Sequence, residues 1–129
     1  MGPSCYLSFP DDQRSVVVET DLRAALRERG ITVLPPSDQD SMTTSMRPFH
    51  WLRQADAVLV DITGDSSWVA YEAGAAQALN KRVMLVAQHV GASSPIEVEL
   101  PRTFLYDPVH VTKLADYVHQ ELDRSLSTE

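Results

Sequence analysis

Glu72 sits where the helical repeat of its segment calls for an apolar residue. Over residues 67–80 a rotation of about 100° per residue puts Trp68, Ala75, Ala76 and Leu79 on one stripe, with Val69 and Tyr71 at its margins. Glu72 projects into the middle of that stripe and Gln77 nearly opposite. A carboxyl group aimed at an apolar side has its pKa raised unless a partner stabilises the charge, which suits chemistry on a ligand. The alternative is a Glu at the rim of a sheet, paired with an Arg or met by water. Asp61, eleven residues earlier, is a second candidate carboxylate, with a strand-end turn former as its alternative. Ser66 and Ser67 open the helix as caps, and their hydroxyls and nearby N–H groups can receive a phosphate or a sugar hydroxyl. Tyr6 is either a ligand contact or a core aromatic.

The elements that must position these residues follow from the apolar pattern. A first strand opens at Cys5-Tyr6-Leu7 and is ended by Phe9-Pro10. From Ser15 the spacing is helical, with Val18, Leu22, Ala25 and Leu26 on one face, and Gly30 closes the helix. A brief second strand covers 31–34, and residues 37–46, including Met42 and Met46, read as a loop. Pro48 suits the first turn of a short helix over 49–54 that turns Phe49, Leu52 and Trp51 inward. The runs 57–61 and 83–87 are continuously apolar, as in parallel strands buried on both faces. A loop over 88–102 precedes a short strand at 104–106 and a last helix with the stripe Val111, Leu114, Ala115, Val118, Leu122.

Five strand–helix alternations in 129 residues predict an α/β fold as one domain over 1–129: a flavodoxin-like, doubly wound parallel sheet of five strands in the order 2-1-3-4-5. In that order the chain reverses between strands one and three, and ligands bind outside the carboxyl ends there. The Phe9 turn leaves strand one at that edge, the Asp61-Ile62-Thr63-Gly64 turn leaves strand three there, and the helix bearing Glu72 starts there. Phe9, Thr63 and Gly64 therefore join Tyr6, Ser66 and Ser67 as ligand-contact candidates.

Composition narrows the chemistry. Eleven Lys and Arg against 18 Asp and Glu give a net charge of −7, with no basic run to neutralise a polymer's phosphates or to dock on anionic lipid. No apolar run approaches a membrane span, and the opening lacks a signal-peptide pattern, so the expected setting is cytoplasmic. One Cys excludes a disulfide framework and a Cys-based zinc site. His50, His89, His110 and His119 lack the spacing of a zinc helix, so no metal and no cofactor is expected. Gly-x-Gly-x-x-Gly, phosphate-loop and Gly-x-Ser-x-Gly motifs are absent. Asp11-Asp12 after strand one and Asp61 after strand three invite a receiver-like comparison, but Val86 leads into Ala87-Gln88 without the Lys that receivers need.

Residues 55–86 resemble two related groups that share this sheet. In the nucleoside 2-deoxyribosyltransferase-like family the segment reads roughly Asp-x-Thr, then Asn-Val-x-Tyr-Glu-x-Gly-x-Ala-x-Ala-Leu-x-Lys. Asp61, Thr63, Val69, Tyr71, Glu72, Gly74, Ala76, Ala78, Leu79 and Lys81 match it, and Trp68 replaces the Asn. The segment is also similar to TIR domains, whose helix reads roughly Ser-x-Trp-Cys-x-x-Glu: Ser66, Trp68 and Glu72 match, and Val69 replaces the Cys. Tyr6-Leu7-Ser8-Phe9 is similar to the TIR opening Phe-Ile-Ser-Tyr, and residues 37–45 would correspond to the TIR loop used in assembly and ligand gating.

The resemblance implies cleavage or transfer of an N-glycosidic bond in NAD⁺ or another nucleotide or nucleoside, with Glu72 as the catalytic carboxylate. It also implies that Asp61 protonates the base or orients the sugar, that Trp68 stacks beside base or ribose, and that homo-oligomers order the site. The alternative it leaves open is a non-catalytic nucleotide sensor or TIR-type assembly module.

Overall fold

Every apolar run becomes a strand, and every stripe between them becomes a helix on one of the sheet's two faces. The computed structural model describes residues 2–36, 48–64, 66–88 and 103–127. In chain order these form β1 (Ser4–Ser8), α1 (Gln13–Glu28), β2 (Thr32–Leu34), α2 (Pro48–Gln54), β3 (Ala57–Asp61), α3 (Ser67–Ala78), β4 (Arg82–Gln88), β5 (Phe104–Tyr106) and α4 (Val111–Ser127). The strands make one parallel sheet in the order β2-β1-β3-β4-β5, the α/β flavodoxin-like arrangement that the alternation predicts. The anticipated loops over 37–46, with Met42 and Met46, and 89–102, with His89, lie outside the described residues.

Local chemistry sets the helix ends. The Asp12 side chain accepts the Ser15 N–H at 2.8 Å and so caps α1, while Gly30 takes φ 77°, a conformation that costs a side chain strain. Ser66 caps α3 by accepting the Val69 N–H at 3.2 Å.

The two-residue period of the strands sorts their side chains between two cores. On one face Cys5, Leu7, Phe9, Leu59, Met84, Val86 and Tyr106 pack against α1 and α4. The whole predicted α4 stripe, Val111, Leu114, Ala115, Val118 and Leu122, is buried there. On the other face Tyr6, Leu34, Val58 and Val60 meet Leu52 of α2 and Val69, Ala75 and Ala76 of α3. Small alanines bring α3 close to the strands, which matters for the one long polar side chain beside them. Each Val, Leu, Ile or Met side chain sealed in these layers contributes about 1.5–3 kcal/mol.

Two inward assignments are corrected. Phe49 is 38% exposed: the inward direction of α2 runs between Trp51 and Leu52, about 110° round the helix from Phe49. On α3 the buried row is Val69, Glu72, Ala75 and Ala76, so Val69 moves to the centre of the stripe, Trp68 is half-buried, and Tyr71 faces outward.

Candidate active site

Glu72 belongs to that buried row and is 2% exposed. Strand β1 alternates Cys5 and Leu7 on one face with Tyr6 and Ser8 on the other, so Tyr6 and Ser8 stand two residues apart facing α3. Both reach the carboxylate. Tyr6 donates its phenolic O–H to Oε2, and Ser8 donates its hydroxyl to Oε1 at 2.8 Å. Ser8 is the last residue of β1, which puts the group at the carboxyl edge of the sheet, beside the reversal between β1 and β3.

Burial is the main cause that raises the Glu72 pKa above the ordinary carboxylate value; the Tyr6 and Ser8 donors and the Trp68 indole oppose it, while the Glu19 charge adds to it. Burial, and then the negative charge of Glu72, drive Tyr6 upward, so the phenol keeps its proton and remains a donor. A buried acid must be paired with a cation, held by hydrogen bonds or kept protonated. Among the described residues the oxygens of Glu72 meet hydroxyl donors and no Lys or Arg; the nearby Arg23 is engaged with Glu19 and the Pro35 carbonyl.

The sequence candidates separate in space. Tyr6 and Glu72 are brought together, with Trp68 beside them and stacked obliquely on Tyr71, ring centroids 5.5 Å apart. Ser66 is engaged as the α3 cap, and Ser67 and Gly64 are exposed near it in the chain. Asp61 is not with Glu72. It shares the parity of Ala57 and Leu59 and turns to the α1/α4 face, 0% exposed, where Tyr106 donates to Oδ2 and the Thr63 N–H donates to Oδ1 at 2.8 Å. Thr63 accepts the Gln88 N–H at 2.8 Å, and Phe9 is packed in the core on that same face.

Ser8 escaped the sequence reading as a Glu72 partner, although its i, i+2 spacing from Tyr6 on a strand carries the signal. Tyr106 carried no such signal, because its phenol crosses β4 to find Asp61. Lys81, a position of the resembled motif, lies at the amino end of the sheet, where Nζ donates to the Arg53 and Ala55 carbonyls at 2.9 Å each. Cys5 is no nucleophile: burial pushes its thiol up to about 12. Among the described residues no group of three His, Cys, Asp or Glu side chains could hold a metal ion. No described helix is long and apolar enough to cross a membrane.

No family profile matches the chain. No curated protein sequence matches it either. Solved structures do. A CMP N-glycosidase, BcmB, from Clostridium botulinum superposes with a TM-score of 0.63 at 19% identity over 88% of this chain and 98% of that one. The 2-desoxiribosyltransferase from Leishmania mexicana gives 0.53 at 20% identity, covering 67% of this chain; the chain spans 65% of that enzyme's length. The RPS4 and RRS1 TIR domain heterodimer gives 0.55 at 18% identity over 92% of this chain and 96% of that one. The fold is thus the one shared by 2-deoxyribosyltransferases, TIR domains and this N-glycosidase, the first two being the groups that residues 55–86 resemble.

Proposed function

We propose that this protein acts on the N-glycosidic bond of a nucleoside or nucleotide, with Glu72 as the carboxylate that meets the anomeric carbon. The observation that carries the reading is Glu72 itself: buried, held by two hydroxyls rather than a cation, and placed at the carboxyl edge of a doubly wound sheet. The names of the structural neighbours, an N-glycosidase and a deoxyribosyltransferase, support that chemistry.

In the proposed reaction ionised Glu72 attacks C1′ as the C1′–N bond breaks. The bonding pair leaves with the base: a purine or pyrimidine takes up a proton from solvent, whereas nicotinamide leaves neutral and needs none. Water, or a second base, then displaces the carboxylate from C1′, and its proton passes to solvent. The transition state is oxocarbenium-like, so a carboxylate whose proton affinity burial has raised stabilises it well. Tyr6 and Ser8 hold the two oxygens, and each oxygen retains a lone pair for the sugar. Trp68 supplies an aromatic face for base or ribose, and Gly64, Ser66, Ser67 and the first N–H groups of α3 receive a sugar hydroxyl or a phosphate.

Incubation with a panel of NAD⁺, nucleosides and nucleotides, with released base measured by chromatography, tests the proposal. Turnover by the parent and none by Glu72→Gln is the expected result; equal turnover by both sinks it. The likeness to a TIR heterodimer supports a second reading, a module that binds such a ligand or assembles without cleaving it. That reading predicts calorimetric binding by the parent with no base released.

A further inference from the structure

A second buried carboxylate, Asp61, is left unused by the reaction proposed above. It is completely sealed, and its surroundings are specific. Oδ1 accepts the Thr63 N–H, Oδ2 accepts the Tyr106 phenol, and the Thr63 hydroxyl accepts the Gln88 N–H. These four residues sit at or just beyond the carboxyl ends of β3, β4 and β5, strands that are neighbours in the sheet. The register explains the reach: Asp61 pairs with Val86 and Gln88 with Tyr106, so the phenol passes over β4 to the acid two strands away. The Asp61 side chain thus ties the end of β3 to β5, and the Thr63 hydroxyl beside it ties the same turn to β4; an apolar residue at position 61 would leave the Thr63 N–H and the Tyr106 O–H without acceptors.

What these ends support is the Glu72 site. Val60, the residue before Asp61, is the register partner of Ser8, which donates to Glu72. Ser66, the cap of α3, follows Thr63 by three residues, and Glu72 lies on the second turn of that helix. The Ile62 N–H continues the ladder to the Val86 carbonyl at 2.9 Å, so the chain leaving Asp61 is held against β4.

We infer that Asp61 and Tyr106 are positioning residues: from the opposite face of the sheet, they set the end of β3 and the start of α3 so that Glu72 meets Tyr6 and Ser8. The inference deepens the proposed function, and its geometric half stands without that function. A misplacement of about 1 Å at a reacting group can cost up to about 100-fold in rate, so a remote lock of this kind bears on turnover rather than on ligand contact.

The experiment uses the full chain and reads Glu72 directly. The carboxyl carbon of Glu72 is titrated by ¹³C NMR in the parent, in Tyr106→Phe and in Asp61→Asn. The groups that reach Glu72, namely Tyr6 and Ser8 of β1, Glu19 of α1 and Trp68 of α3, are the same in all three. Loosening the lock draws Glu72 away from its donors, so its midpoint rises by about half a pH unit or more in Tyr106→Phe. Asp61→Asn keeps an oxygen for the Thr63 N–H and an amide for the phenol, so it moves the midpoint less. On the substrate that the parent turns over, Tyr106→Phe lowers kcat about tenfold with KM nearly unchanged. A lower melting temperature with an unmoved Glu72 midpoint overturns the inference, in either variant should the other not fold. If instead the midpoint moves while Glu72→Gln still releases base, the positioning stands and the catalytic reading falls.

Discussion

The molecule holds two buried carboxylate–phenol pairs, Tyr6–Glu72 on one face of the sheet and Tyr106–Asp61 on the other. Burial raises the proton affinity of both acids and of both phenols. By burial and pKa direction the pairs are twins. Their donors differ. Asp61 accepts a backbone N–H from its own turn, a group fixed by the chain, whereas Glu72 is held by side-chain hydroxyls, which can rotate. A backbone donor makes an acid part of the scaffold; hydroxyl donors leave it able to trade a partner for a ligand. A buried acid with a shifted pKa thus marks a candidate, and in the reading proposed above the kind of donor separates the lock from the reagent.

The largest effect that tests this contrast is Glu72→Gln. Base release is expected to fall about 1,000-fold or more with the fold retained, because the Gln carbonyl still accepts from one hydroxyl and its NH2 donates to the oxygen of the other. Activity within tenfold of the parent would erase the distinction between the two faces. Next comes Tyr6→Phe, expected to lower kcat about 10- to 100-fold, roughly the loss of a charge-assisted hydrogen bond. Because the Tyr6 donor opposes the raised pKa of Glu72, its removal moves the acid limb of the pH–rate profile to higher pH. Ser8→Ala should act in the same direction and by less, about fivefold in kcat.

The smallest expected effect is on stability. The folded pKa of Glu72 lies above the ordinary value of 4.5, so its contribution is fully present below that pH and is lost as pH rises through the folded value. Glu72→Gln, which has no charge to bury, should match the parent in acid and melt higher at pH 8, by about 3 °C for each 1 kcal/mol relieved. Calorimetric scans across that range check the sign; a variant that loses stability relative to the parent as pH rises contradicts it.

Much of this arrangement was legible before any coordinates. The α4 stripe was read residue by residue, because an amphipathic helix exposes its period directly in the chain. The sheet order followed from alternation and crossover handedness. Glu72 could be seen to point inward, since one helix and its rotation per residue suffice for that. Asp61 was harder. Its parity with Leu59 was present in the sequence, but which face of the sheet α3 covers was not.

The amino-acid order alone therefore determined the strands, the helices and the inward turn of residue 72, which depend on neighbours within a few positions, and, through the alternation and handedness of the crossovers, the order of the sheet. Only the tertiary structure decided which hydroxyls that acid meets and that Asp61 answers to Tyr106 across β4. The reason is distance along the chain: those contacts join residues 45 to 66 positions apart, and no local period encodes a pairing made by the packing of layers.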